Sequence, residues 1–378
     1  MPGSFRLGSI AGINIYINFS WLIIVVFLTV SLATSWFPTS YPGYSGTVYL
    51  LLGLVSTILL FVSVLLHELA HSFVARARGL PVRSIILFIF GGVSNIEQEP
   101  HSAGTEFLIA LVGPLVSLLI GALCYGLSVL LRGSSSLFEP VLAYLAGINI
   151  ILGIFNLLPG FPLDGGRVLR SIIWSVTGNL YKATQIATVV GQVIAYLFIV
   201  FGIWIFFTGN AFNGLWFGFI GWFLLSSAQA VRMQATVENL LRGVTVEQLM
   251  SRNPLTVPAN ISLQKLVDEY ILPQGLRSAF VLQGDRLAGL ITLSDIRHMP
   301  REEWGQQPVG FVMIPADRLH SVTPLRSVGE TLPLFSGQDV NQLPVLQDGV
   351  LVGVLTRDAI IRALHVRQSL GLDRNKRV

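Results

Sequence analysis

Long apolar segments fill the chain from residue 14 to about residue 231, and sequence of mixed polarity follows. A membrane-spanning helix needs about 20 predominantly apolar residues. By this criterion the pattern predicts six transmembrane helices, at about 14–36, 48–75, 107–131, 138–158, 185–208 and 214–231. The change in pattern predicts a transmembrane domain over 1–231, a linker over 232–243 and extramembrane sequence beyond.

The composition supports a membrane protein and excludes other classes. Hydrophobic residues make up 52% of the 378 residues and charged residues 12%, whereas soluble domains carry about 25% charged residues. The net charge is +4, and no cluster of Lys and Arg with interleaved aromatic residues occurs, so we expect no nucleic-acid partner. Cys124 is the single cysteine, which excludes an internal disulfide and a thiolate metal site.

The loops between the predicted spans indicate how the protein is oriented in the bilayer. Basic residues follow spans two, four and six, whereas the loops around Pro38–Gly46 and Gly209–Gly214 have neither Lys nor Arg. Only Arg132 departs from this distribution. Since cytoplasmic loops are enriched in Lys and Arg, we expect both termini in the cytoplasm.

The sequence HELAH, at residues 67–71, lies near the cytoplasmic end of the second predicted span. Residues four apart lie on one face of a helix, so His67 and His71 can bind one zinc ion while Glu68 lies beside them. A carboxylate in that position can accept a proton from the water that attacks a peptide carbonyl. The pattern therefore suggests a zinc protease that cleaves peptide bonds inside the membrane.

A catalytic zinc ion requires a third protein ligand and an open position. Asp164 is the best candidate, in the sequence NLLPGFPLDGGR at the end of the fourth predicted span. The prolines and glycines around it predict a bent loop. An ionisable group near membrane depth costs about 2.5–3.5 kcal/mol, and a metal ion shared with two imidazoles offsets that cost.

The segment Ser84–Glu97 is apolar but too short to span, and Gly91-Gly92 interrupts it. Strand-like residues on either side of a glycine pair predict a membrane-associated β-hairpin or a re-entrant loop. An exposed strand edge next to a protease site can bind an unwound substrate by strand addition, here at Phe90, Gly91, Gly92 and Val93. A hairpin with only a structural role is the alternative.

HELAH, the FGG sequence of the hairpin, the GPLVS of residues 113–117 and the NLLPGFPLDGG loop together resemble the site-2 protease family of intramembrane zinc metalloproteases. The resemblance covers nearly all of residues 1–231. It implies one Zn²⁺ per subunit held by His67, His71 and Asp164, with Glu68 as general base and acid. It also implies that Asn149 helps to bind the substrate carbonyl or oxyanion. From the residues alone, a polar side chain in a span is equally consistent with an interhelical hydrogen bond.

Family members cleave transmembrane segments of membrane-anchored proteins, usually after another protease has trimmed the outer part. The resemblance therefore implies a membrane-anchored protein substrate, contact with the lipid bilayer and a location in the inner membrane of a prokaryote.

Two similar units occur in the extramembrane sequence, at 244–302 and 303–368, before a tail at 369–378. Each combines a helix, a strand, a tight turn, a second strand and the start of another helix. The turns at Gly284-Asp285 and Asp348-Gly349 lie between apolar runs, and Asp-Gly in that setting strongly indicates a β-hairpin. We therefore expect a cytoplasmic α/β domain attached to a polytopic α-helical membrane protein.

The repeat resembles a tandem pair of CBS domains, which implies a homodimer and clefts for an adenosine nucleotide of the ATP or AMP type. The family pattern implies ligand contacts from Thr292 and Asp295, at a helix start that suits phosphate, and from Thr356 and Asp358 in the second unit. The second unit departs from the pattern, because Thr356 is followed by Asp358 one position early and Ala359 takes the expected place. A dimerisation module with empty clefts is the alternative.

Three functions are compatible with a membrane domain joined to a CBS pair. The first is an intramembrane zinc endopeptidase whose activity the CBS pair modulates. The second is a transporter or channel gated by the CBS pair with a structural metal site, and the third is a metal-binding receptor without catalysis. A pore places polar residues along one face of several spans. Here they converge on one set of metal ligands, which favours the protease.

Overall fold

The computed structural model describes residues 3–89, 91–96, 98–133, 136–336 and 340–370. The chain forms two compact units, Met1–Ala235 and Thr236–Val378. The first unit is mainly helical and contains a small sheet, whereas the second unit combines a sheet with short helices.

In the described residues the first unit is built on seven helices, the last of which continues beyond Ala235, and six of the seven are long and apolar enough to cross a membrane. The seven helices are α1 (Phe19–Ser40), α2 (Gly46–Ala77), α3 (Ala103–Leu130), α4 (Phe138–Asn156), α5 (Asp164–Thr177), α6 (Leu180–Phe207) and α7 (Ala211–Leu241). The exception is α5, which is amphipathic and short. The six predicted spans are confirmed in number and order.

The first predicted span is wrong at its start, because residues 14–18 belong to a strand. The described residues form a four-stranded sheet in the order β1 (Ser4–Ile10), β2 (Ile13–Asn18), β3 (Val82–Phe88) and β4 (Gly91–Ile96). Along β2 the isoleucines alternate with polar or amphipathic residues and point into the core. This period of two is typical of a half-buried strand, and α1 begins only after Asn18 accepts a hydrogen bond from the Ser20 amide.

The predicted hairpin is present as β3 and β4, which pair antiparallel. The strand β2 runs parallel to β3 and joins the hairpin to the N-terminal strands. The inner strand β3 buries Ile85 and Leu87 in one apolar cluster with Leu69 of α2 and Ile109 of α3. The segment of α2 that carries HELAH therefore lies between the sheet and α3, and β4 forms an edge of the sheet.

The described part of the second unit contains six strands, β5 to β10, in a mixed sheet. In the described residues the order is β5-β6-β7-β10-β9, with β8 beside β7. The strands are Thr256–Pro258, Ser278–Gln283, Arg286–Thr292, Ile314–Pro315, Gln342–Gln347 and Val350–Thr356. The helical segments are Val246–Leu249, Leu263–Lys265, Leu266–Ile271, Leu272–Gln274, Leu293–Arg297, Arg301–Glu303, Val309–Val312, Ala316–Arg318, Val328–Thr331, Leu332–Ser336 and Arg357–Ser369.

The internal repeat of the second unit is visible in its hairpins. The first strands of the two hairpins, β6 and β9, share one burial pattern, and β7 and β10 share another. The turns use residues with positive φ, at Gly284 (63°), Asp348 (53°) and Gly349 (80°).

The domain has two apolar cores, one around Val281 and Ile291 and one around Val345 and Leu355. Each takes in the first helix of the other repeat, since Val309 packs in the first core and Val246 in the second. The α/β domain expected from the sequence is confirmed.

Candidate metal centre

Three metal-ligating side chains meet where α2 faces the start of α5. His67 Nε2 lies 3.1 Å from Asp164 Oδ2, His71 Nε2 lies 3.2 Å from the same oxygen, and the two Nε2 atoms are 3.1 Å apart. Both histidines are 4% exposed. The structure thus brings together all three residues that the sequence predicts as zinc ligands, although His71 and Asp164 are 93 residues apart.

Helix α3 orients both imidazole rings. His71 Nδ1 lies 2.6 Å from the carbonyl oxygen of Ile109, and His67 Nδ1 lies 2.9 Å from Ser117 Oγ. A carbonyl oxygen can only accept a hydrogen bond, so His71 Nδ1 carries a proton, and Nε2 is the nitrogen left to bind a metal when the ring is neutral. A partner on the far nitrogen is the usual support of a metal-binding histidine.

The donor set fits a zinc ion. Two Nε2 atoms and a carboxylate oxygen are all electron-pair donors, and their mutual separations match the roughly 3.3 Å expected between ligands of a tetrahedral zinc. When all three are deprotonated, such groups repel one another in a buried place unless a cation lies between them. Two imidazoles and one carboxylate also leave a fourth position open, as catalytic zinc requires.

Gly113 of α3 leaves the space that this ion needs. A β-carbon at Gly113 would lie 2.5 Å from His71 Cε1, 2.7 Å from His67 Nε2 and closer still to His71 Nε2. No side chain can be accommodated there without moving the imidazoles. The GPLVS sequence thus contributes both this gap and, through Ser117, a hydrogen bond to His67.

Glu68 lies against the strand β4. Ser94 Oγ donates a hydrogen bond to Glu68 Oε2 at 2.6 Å, and Ser72 Oγ donates to Ser94 Oγ at 3.2 Å. A β-carbon on Gly92 would lie 2.6 Å from Glu68 Cγ. The strand face with Gly92 and Ser94 therefore fixes the carboxylate beside the two histidines.

Asp164 is the first residue of α5, after a connection that folds back on itself. The connection needs glycine at several close approaches: a β-carbon on Gly165 would overlap the Leu157 carbonyl, and one on Gly166 would overlap the Phe161 amide. The Phe161 amide also donates to the Ala187 carbonyl of α6 at 3.3 Å. The breaker-rich sequence was predicted as a bent loop, and the helix that follows it was not foreseen.

Asn149 is fully buried in α4. Its Nδ2 donates to the Leu145 carbonyl at 2.9 Å and to Ser63 Oγ of α2 at 3.3 Å. Its Oδ1 has no hydrogen-bond partner among the described residues. The contact with Ser63 is an interhelical hydrogen bond one turn before His67, and a role in binding a substrate carbonyl stays a prediction.

Of the four residues expected to bind substrate, Gly91, Gly92 and Val93 lie in β4. Val93 is 42% exposed. Phe90 lies outside the described residues. The structure therefore places the described part of this segment on the edge strand that contacts Glu68.

The residues predicted to bind nucleotide lie at two helix starts in the second unit. Asp295 Oδ2 accepts hydrogen bonds from Thr292 Oγ1 at 2.7 Å and from the Thr292 amide at 2.8 Å. In the second repeat Thr356 Oγ1 accepts from the Ala359 amide at 3.1 Å, and Asp358 is exposed. The two starts thus differ in their carboxylates, as the sequence indicates.

The whole chain resembles zinc metalloproteases. The model of peptidase family M50 matches residues 55–138 and 131–201, and the CBS domain model matches residues 246–302 and 310–366. The protein sll0528 of Synechocystis sp. is 34% identical over 97% of this chain and 96% of its own length. The chain belongs to peptidase family M50.

Two further similarities concern Methanocaldococcus jannaschii. Its zinc metalloprotease MJ0392 is 29% identical over 97% of each chain. Its site-2 protease, a solved structure, is 31% identical over 61% of this chain and 95% of that chain, with a TM-score of 0.44. The predicted site-2 protease resemblance is confirmed by the M50 match, so this protein is a multi-pass membrane zinc metalloprotease with a CBS pair.

Proposed function

We propose that this M50 protein is an intramembrane endopeptidase that cleaves transmembrane segments of membrane-anchored proteins. The observation that carries the proposal is the meeting of His67, His71 and Asp164 within 3.2 Å, with both histidines on a helix apolar enough to span a membrane. A protease centre at that depth acts on peptide bonds that soluble proteases do not reach. Membership of M50 favours this function over the transporter and receptor hypotheses.

The proposed chemistry divides between metal and side chains. A zinc ion held by His67, His71 and Asp164 would polarise the scissile carbonyl and acidify water to a pKa of about 7. Glu68 takes a proton from the attacking water and later delivers one to the leaving amine. The hydrogen bond from Ser94 holds the Glu68 carboxylate in place for both transfers.

The proposed substrate site is the free edge of β4. An edge strand presents unpaired backbone N–H and C=O groups, and an extended peptide can add to it as a further strand. This suits the chemistry, because a substrate helix must unwind before its carbonyls become accessible. Gly91, Gly92 and Val93 would line the peptide, while Gly92 and Ser94 keep the strand against Glu68.

We further propose that the protein lies in the inner membrane of a prokaryote and that both of its termini are in the cytoplasm. Six crossings return the chain to the side where it began. Arg76 lies in the last turn of α2, Arg78 and Arg83 follow that helix, and Arg167 and Arg170 follow α4. Such residues favour the cytoplasmic side. The metal centre then opens toward the cytoplasm, which supplies water.

The CBS pair is proposed to bind an adenosine nucleotide, to form a homodimer and to modulate cleavage. A helix start such as that at Thr292 suits a phosphate, and Asp295 can bond ribose hydroxyls. Cleavage of a reporter span is measured with and without saturating ATP or AMP after binding has been verified. Equal cleavage rates with and without nucleotide would contradict modulation. Asp295→Ala is expected to weaken nucleotide binding more than the control Asp317→Ala, which changes an exposed carboxylate.

The proteolytic function is tested with Glu68→Gln. We expect zinc content equal to that of the wild type and a rate of reporter cleavage lower by about 10²–10⁴-fold, the usual contribution of general acid–base catalysis. The exposed Glu302 provides the control Glu302→Gln, which should cleave at the wild-type rate. Undiminished cleavage by Glu68→Gln contradicts the assigned mechanism.

A further inference from the structure

A buried ion pair joins α3 to α5 next to the metal centre. Glu106 is fully buried in the first turn of α3, and Arg170 of α5 is 8% exposed. Arg170 Nε donates to Glu106 Oε1 at 2.6 Å, and Arg170 Nη2 contacts the same oxygen. The other oxygen of Glu106 has no partner among the described residues. Burying two charged groups costs desolvation free energy, which their attraction offsets only when the pair is held in a well-defined geometry.

Arg170 also reaches the two chain segments that flank the centre. Its guanidinium lies 5.2 Å from the centre of the Phe161 ring, in the connection that leads to Asp164. Its Nη1 lies 3.6 Å from Glu99, in the connection between β4 and α3. One side chain thus contacts the segment before a candidate metal ligand, the segment after the candidate substrate strand, and α3.

The same two helices carry the parts of the centre that must meet. Helix α3 orients His71 through the Ile109 carbonyl and His67 through Ser117, and α5 begins with Asp164. Glu106 lies one turn before Ile109. The position of α5 along α3 therefore sets the distance between the Asp164 carboxylate and both imidazoles.

We propose that Glu106 and Arg170 are positioning residues that hold Asp164 in register with His67 and His71 and so set the affinity for zinc. The proposal rests on the zinc site of the proposed function. It assigns neither residue a contact with the metal or with substrate. Arg is suited to this task because its planar guanidinium holds a fixed orientation toward a carboxylate.

The test is the zinc dissociation constant of the full-length protein in detergent, from competition with a chelator. We expect Glu106→Gln and Arg170→Gln to raise the constant about 10- to 100-fold, the range for groups that orient metal ligands. Zinc in excess should restore most of the cleavage rate. Cobalt substitution provides a second measurement, since the visible spectrum should change when Asp164 is displaced.

Arg167→Gln is the matched control on the same helix. Arg167 is 24% exposed and its Nε lies 3.9 Å from Glu106 Oε1, so we expect less than a threefold change. In the double variant Glu106→Arg with Arg170→Glu the two charges are exchanged and can pair again. It should therefore bind zinc more tightly than Glu106→Arg alone or Arg170→Glu alone.

Three results would overturn the proposal. One is a wild-type zinc constant and cobalt spectrum in folded Glu106→Gln and Arg170→Gln. Another is loss of the fold in Arg170→Lys, which keeps the charge. The ion pair would then be needed for the packing of the helices in general and not for the position of Asp164. The third is a wild-type protein that binds no zinc, which would contradict the proposed function as well.

Discussion

At the scale of single residues, the metal centre depends on an absent side chain as much as on its ligands. Gly113 has His67 and His71 within contact distance of where its β-carbon would be. Neither ring can retreat freely, because each is hydrogen-bonded on its other nitrogen.

Gly113→Ala is therefore expected to remove zinc and cleavage together. The added methyl group would lie 2.7 Å from His67 Nε2 and closer to His71 Nε2, in the space where zinc is expected. Zinc content of the purified protein measures the effect. Gly104→Ala in the same helix is the control, since nothing lies within 4 Å of its added methyl group. Normal zinc content in Gly113→Ala would contradict the location of the site.

Ser94→Ala is expected to separate catalysis from metal binding. Loss of the hydrogen bond to Glu68 Oε2 leaves the carboxylate free to turn away, and we expect about 10- to 100-fold slower cleavage at unchanged zinc content. Ser9→Ala, an exposed change on the opposite edge strand of the same sheet, should have no effect. Equal cleavage rates for the two variants would show that Ser94 does not hold the base.

The sequence could indicate some of these residues and not others. His67 and His71 repeat at the helical period, and Asp164 lies among breakers that few spans contain. Ser94 and Ser117 are ordinary serines in sequence, and their importance comes from partners 26 and 50 residues away. Arg170 is recognisable in sequence only as a basic residue after a span, and its pairing with Glu106 follows only from the packing of α3 on α5.

At the scale of elements, the sequence predicted helices more reliably than the strands beside them. The apolar residues Ile13, Ile15 and Ile17 run into the apolar start of α1, so a criterion based on length merged the strand with the span. Their period of two and the preceding Gly12 were the signals available in the sequence. In the structure Ala11 and Gly12 form a turn with positive φ at both residues. Pairing of β2 with β3 links residues about 70 positions apart and follows only from the tertiary fold.

The connection before α5 packs closely on α6, so we expect a substitution in α6 at this contact to shift the connection. A β-carbon on Gly191 would overlap the Phe161 carbonyl oxygen and lie 2.8 Å from the Phe161 nitrogen. Gly191→Ala should therefore lower the free energy of unfolding by about 1–3 kcal/mol and weaken zinc binding by shifting Asp164. Thermal unfolding and zinc content measure the two effects. Gly147→Ala is the control, because open space surrounds its added methyl group. Equal stability and equal zinc content in the two variants would contradict a link between Gly191 and the position of Asp164.

At the scale of the whole molecule, the two compact units differ in what they can bind. Within the described residues, the only group of three or more His, Cys, Asp or Glu side chains placed to hold a metal is that of the first unit. The helix starts proposed to bind nucleotide belong to the second unit. Metal and nucleotide should therefore stabilise different parts of the chain.

Removal of zinc from the full-length protein tests this division. A chelator is expected to abolish reporter cleavage, and added zinc to restore it. In thermal unfolding, zinc at 100 times its dissociation constant should stabilise the first unit by about 2.7 kcal/mol, because a ligand of the folded state alone shifts the equilibrium by mass action. The unfolding of the second unit should respond to AMP or ATP and not to zinc. A zinc effect on the second unit alone would place the metal elsewhere than at His67, His71 and Asp164.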